Sequence, residues 1–86
     1  EWGIVTQILP AATFREVAIG RAREIAQGPT QAYSEAKRRL GEGWEQPFEE
    51  YLDEQSRVIV ELAGTKDFRE GVHAFLERRV AKFEGL

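Results

Sequence analysis

The sequence predicts an all-α fold: a small bundle of about four helices, with a short extended segment at its N-terminus. Three observations carry this. Apolar residues recur at three- and four-residue steps in four separate stretches. Gly-Pro, Gly-x-Gly and Gly-Thr breaks separate those stretches. A single run, Gly3-Ile4-Val5-Thr6-Gln7-Ile8-Leu9, has the β-branched character of a short strand, and Pro10 closes it.

The first helix is expected over 13–27. Thr13 followed by Glu16 reads as a capping box, in which each side chain bonds the other's main-chain N–H. Phe14, Val17, Ala18, Ala22 and Ile25 then form one stripe. Gly28 is placed as a left-handed stop, and Pro29 prevents continuation. Thr30 caps a second helix, 31–41, carrying Ala32, Tyr33, Ala36 and Leu40. Its last turn holds Lys37, Arg38 and Arg39, where cations suit the helix dipole, and Gly41-Glu42-Gly43 breaks it. A third helix spans 47–63, with Pro47 in its first turn. Phe48, Tyr51, Leu52, Gln55, Ile59 and Leu62 share a face, and Val58 and Val60 make its second half apolar nearly all round. That surface calls for a partner or for more of the same chain. Thr65 caps a fourth helix, 66–80, and Asp67 with Glu70 offers a second capping box. Phe68, Val72, Phe75, Leu76 and Phe83 give it an aromatic-rich face, and Gly71 within it suggests that another backbone comes close.

Composition narrows the function classes. The chain has 86 residues, enough for one small domain and too few for a two-domain enzyme. Its 12 basic and 15 acidic side chains leave a net charge of -3, against a general nucleic-acid grip. With no Cys, disulfides and thiolate metal sites are impossible. No apolar run is long enough for a membrane span, so no membrane partner is expected and a cytoplasmic location is. The chain holds no Met and opens on Glu1, so it is expected to be a processed chain or a piece of a longer one.

Little in the sequence resembles a catalytic constellation. His73, the single His, reads as a surface or packing residue. The acidic run from Glu45 to Glu54 has no His beside it and reads as a solvated helix face, not a metal site. Ser34 and Ser56 lack a nucleophile-elbow setting. Glu70 and Glu77 sit among Arg69, Arg78 and Arg79 and read as surface ion pairs. Arg78, Arg79 and Lys82 form a basic cluster, either a cationic helix end or a small phosphate clamp. Phe75 stands one turn before Arg78, where it could pack a flat base.

The stretch from Thr65 to Gly85 closely resembles the ending of the enoyl-CoA hydratase/isomerase (crotonase) family, T-x-D-x-x-E-G-x-x-A-F-x-E-K-R-x-P-x-F-x-G. Thr65, Asp67, Glu70, Gly71, Ala74, Phe75, Glu77, Arg79, Phe83 and Gly85 match it; Arg78 replaces the usual Lys and Ala81 the usual Pro. Upstream, Gly3-Ile4-Val5 with Ile8-Leu9-Pro10, and Ala26-Gln27-Gly28-Pro29 with Ala32 and Lys37, are similar to the same family. Gly28 to Tyr33 and the Trp44 region look like its phenylacetyl-CoA ring-epoxide isomerase branch.

The resemblance implies that residues 1–86 are the C-terminal helical region of a crotonase-like enzyme, the part that packs trimers and covers the active site. The catalytic spiral domain would be absent, and with it every catalytic residue. Substrates would be acyl-CoA thioesters, reacting through an enolate held by two main-chain donors. Coenzyme A would enter as part of the substrate, with no separate cofactor. Residue by residue, Arg78 falls at a position that reaches a CoA phosphate, Phe75 near the CoA adenine, and Ile59 at a position that can line a neighbour's acyl pocket. The full-length assembly would be a trimer or hexamer, the 86 residues alone a possible dimer. The competing readings are a stand-alone helical protein-interaction adaptor and a small CoA- or nucleotide-binding module built on Arg78.

Overall fold

A computed structural model describes residues 3–86; the opening Glu1 and Trp2 lie outside the described residues. Four helices follow one another: α1 (Ala11–Ala26), α2 (Thr30–Glu42), α3 (Phe48–Ala63) and α4 (Lys66–Glu77). The fold is all-helical as predicted. Residues 3–10 precede α1 without helix, and no strand forms among the described residues. The β-branched run at Ile4 and Val5 finds no ladder partner and stays largely exposed.

Helix boundaries depart from expectation where local chemistry competes. The Thr13–Glu16 capping box does not form. Pro10, extended at ψ 142, leads directly into α1. Ala11 and Ala12, the best helix formers, join the helix ahead of Thr13. The Thr13 hydroxyl and N–H both turn back to donate to the Pro10 carbonyl. Thr30 likewise lies inside α2 rather than capping it, with Pro29 at the cap. The helix before it ends at Gln27 in a right-handed conformation, so Gly28 is not a left-handed stop. What Gly28 supplies is room: a Cβ there would run into the Tyr33 ring.

The start of α4 follows the sequence more closely. Thr65 Oγ1 accepts from the Phe68 N–H at 3.1 Å, a side-chain N-cap. Its end comes earlier than expected. Arg78 turns left-handed at φ 54, and the Arg79 N–H donates to the Ala74 carbonyl at 3.0 Å. That six-to-one bond is a Schellman-type stop, and it sends residues 79–86 back along the helix that they leave.

The returning tail is held at two carboxylates. Asp67 is 4% exposed and accepts from the Glu84 N–H at 2.8 Å and the Gly85 N–H at 2.9 Å. The Asp67 N–H donates to the Leu86 main-chain oxygen at 3.0 Å. So Asp67 joins the tail instead of making a capping box with Glu70. Gln31 of α2 donates to the Gly85 carbonyl at 2.9 Å, tying the same tail to a second helix. Gly85 is left-handed at φ 75, and a Cβ there would meet Thr30 Oγ1 at 2.8 Å. Gly71 faces the Phe83 ring, which would lie 3.6 Å from an added Cβ. The close approach expected at Gly71 is therefore that of a side chain.

The helices do not close on one another. Val58 and Ala74 are the only buried apolar residues among those described, and α1 buries none. The radius of gyration is 16.4 Å. A compact chain of this length would have about 12 Å. Within the four-helix bundle α2 packs on α3 and α3 on α4, leaving open faces. Among the described residues, no helix is long and apolar enough to cross a membrane.

Asp67→Asn should release the tail. An amide presents one acceptor and one donor to two incoming N–H groups, leaving at least one unpaired. We expect a loss of about 2 kcal/mol and collapse of amide-exchange protection at Glu84 and Gly85, measured by hydrogen exchange.

Candidate functional site

The elbow between α3 and α4 opens into an apolar cavity of ≈ 530 Å³. Ile59 and Leu62 contribute from α3, Phe68, Val72, Phe75 and Leu76 from α4, and Phe83 from the tail. Helical spacing explains the first two sets: residues three and four apart stack on one side. Phe83 joins them because the tail is anchored on both sides of it, at Lys82 and Glu84. Much of the wall faces outward. Phe75 is 82% exposed, Leu76 72% and Ile59 57%, an exposure rare for large apolar groups clustered on a monomer.

Two of the three sequence-predicted residues therefore share one cavity, Ile59 and Phe75. Arg78 lies outside its lining, on the left-handed turn one residue past the end of α4. It is exposed and makes no ion pair among the described residues. The basic cluster it belongs to is divided. Arg79 is committed to Glu70 through two nitrogens, at 2.6 and 2.8 Å, and also bonds Glu77. Lys82 contributes its main-chain N–H, which donates to Glu70 Oε1 at 2.8 Å.

These contacts set the protonation of Glu70. The Arg79 guanidinium, then the Lys82 N–H, hold its carboxyl down at about 2, from an ordinary 4.5. Both carboxylates push the Arg79 guanidinium the other way, upward. A second cluster joins α2 to α3. Arg39 is 5% exposed and donates through Nη2 to Glu54 Oε1 at 2.6 Å, with Nη1 2.6 Å from Oε2. Gln46 donates to Glu54 Oε2 at 3.3 Å. The Arg39 bond, with help from Gln46, brings Glu54 to about 2 against partial desolvation. Neither cluster offers a free base or a nucleophile. Both are paired charges that join elements.

The tail clamp was the part that sequence reasoning missed. Asp67, Glu70 and Arg79 were visible as local helix features, and their true partners lie 9–18 positions away. The signal available was the linear motif itself, whose Asp67, Glu70 and Arg79 positions turn out to make the tail contacts.

Comparison with known proteins decides the kinship. The family model described as enoyl-CoA hydratase/isomerase matches residues 1–86. The chain belongs to the enoyl-CoA hydratase/isomerase family. A probable enoyl-CoA hydratase of Rhodobacter capsulatus is 35% identical over 96% of this chain and 32% of its own length. The 1,2-epoxyphenylacetyl-CoA isomerase of Escherichia coli is 34% identical over 99% of this chain and 32% of its own length. A solved enoyl-CoA hydratase structure from Geobacillus kaustophilus superposes with a TM-score of 0.86 at 31% identity, covering 98% of this chain and 32% of that one. The chain thus spans about a third of the length of the relatives it matches. Hydratase and isomerase relatives are equally similar, so these helices do not separate the two reactions. The helices of the 86 residues are arranged as in the matched third of that longer enzyme.

The two lowered carboxyls fix a pH window. A folded-state value of about 2 against an ordinary 4.5 gives stability that is fully present above pH 4.5. It is lost as pH falls from 4.5 toward 2. Acid titration followed by circular dichroism should show this decline, and Glu54→Gln and Glu70→Gln should each flatten it.

Proposed function

We propose that these residues act as the C-terminal, active-site-covering and oligomerisation region of a full-length enoyl-CoA hydratase/isomerase. The observation that carries this reading is the open apolar elbow of α3 and α4, in a chain that the family matches from end to end. An exposed surface of this kind needs covering, by the rest of a longer chain and by neighbouring copies.

The full-length chemistry is enolate formation on an acyl-CoA thioester. Two main-chain donors stabilise the developing oxyanion, and carboxylates elsewhere in the longer protein move the proton or activate water. This region supplies no group to that step. Its contribution is grip and cover. Arg78 offers a bidentate donor fork to a CoA phosphate, a role open to Arg as well as Lys. Phe75 presents an exposed ring of the right type to stack on adenine. Ile59 adds an apolar wall for the acyl chain of a neighbouring subunit. Coenzyme A enters as part of the substrate, and the reading calls for no other cofactor.

The 86 residues alone should show no turnover of enoyl-CoA substrates, while the full-length protein turns over at least one of a panel of them, read by loss of the conjugated enoyl absorbance. Silence of the full-length protein across the panel would leave the helical adaptor as the better reading. In sedimentation the isolated region should run as a dimer that covers Val60 and the elbow; a clean monomer would contradict the need for a partner.

A further inference from the structure

Glu70 makes more contacts than an exposed ion pair requires. Its side chain is only 24% exposed and both oxygens are engaged. Arg79 donates to each of them, and the Lys82 main-chain N–H donates to Oε1. One carboxylate therefore holds the chain on both sides of Val80-Ala81. Just before this segment stands Arg78 at φ 54, followed by the Arg79 N–H bonded to the Ala74 carbonyl. The turn from 78 to 82 is pinned at its start, at Arg79 and at Lys82. Its charges are sorted as well. Arg79 is neutralised by Glu70 and Glu77, whereas Arg78 and Lys82 are exposed and form no ion pair among the described residues.

We propose that Glu70 is a positioning residue: by holding Arg79 and the Lys82 main chain, it fixes the turn on which Arg78 and Lys82 stand together as a two-cation grip for the phosphates of a nucleotide-bearing thioester. This rests on the reading of Arg78 as a CoA-phosphate contact, and it adds a second cation and the origin of their placement. The two cations suit different jobs. A guanidinium fixes phosphate orientation through its fork, and an ammonium adds a compact charge. Holding both on a turn ordered before binding lowers the entropy cost of gripping the ligand.

The experiment compares an enoyl-CoA with the matching enoyl-pantetheine, which lacks the nucleotide phosphates, in the full-length protein. Glu70→Gln and Lys82→Ala should each raise KM for the enoyl-CoA by about 3- to 10-fold, with kcat within about twofold. KM for the enoyl-pantetheine should stay put, and Glu70→Gln should add little once Arg78→Ala is present. If Arg78→Ala leaves the enoyl-CoA KM unchanged, the underlying phosphate reading fails. If Arg78→Ala acts and Glu70→Gln is silent, the positioning role alone is overturned. An equal rise on both thioesters overturns it too, since a general loss of structure would act that way. A silent Lys82→Ala removes the second cation. Should Glu70→Gln not fold, Arg79→Lys carries the test: it keeps the charge and loses the fork, and a KM unchanged on enoyl-CoA counts against the proposal.

Discussion

Two carboxylates on one short helix hold this region in its shape. Asp67 and Glu70 lie three positions apart, so both face the same side of α4; from the returning tail Asp67 accepts two main-chain N–H groups and Glu70 one. Carboxylates suit this task. Each oxygen has lone pairs enough for two donors, and bonds to a charged acceptor are stronger than bonds between neutral groups. Everything near the elbow follows from that seam. It carries Phe83 across Gly71 and brings Gly85 against Thr30, and Gln31 then links the tail to α2. With Val58 and Ala74 the only buried apolar residues among those described, there is little hydrophobic stabilisation to draw on, so directional polar contacts do a larger share of the holding.

The helices were largely legible in the sequence because their signals are local. Apolar steps of three and four, and breaks at Gly28-Pro29, Gly43 and Gly64-Thr65, depend on neighbours along the chain. The Thr65 cap was legible for the same reason. The errors also have local causes. Thr13 and Thr30 are competent caps, but Pro10 and Pro29 already direct the chain into each helix, and Ala11 and Ala12 extend α1 past Thr13. Asp67 could not be assigned from spacing alone. Capping box and tail clamp both place a carboxylate in the first turn of a helix, and only the fold shows which donors arrive. The elbow itself was readable as two apolar faces, at Ile59 and at Phe75, while their meeting in one cavity was not.

The paired clusters show why little chemistry could be read from the charged residues. The chain is rich in Arg and Glu, yet those that approach closely do so as partners. Arg39 with Glu54 joins α2 to α3, and Arg79 with Glu70 joins α4 to the tail. A general base needs a carboxylate whose proton affinity is raised toward neutrality. Here the Glu54 and Glu70 carboxylates are driven the opposite way, to about 2, which suits these two to structure and not to proton transfer.

The left-handed turn at Arg78 carries a further meaning. A side chain at φ 54 strains the backbone by roughly 1 kcal/mol relative to glycine, the residue that usually ends a helix in this way. Glycine would fold here more easily, and it would have no guanidinium. If Arg78 grips phosphate as proposed, the position gives up ease of folding for that guanidinium, and the seam around it supplies the rigidity that keeps the residue in place. In a region with almost no interior, misfit at a single residue is a better guide to what the protein needs than burial is.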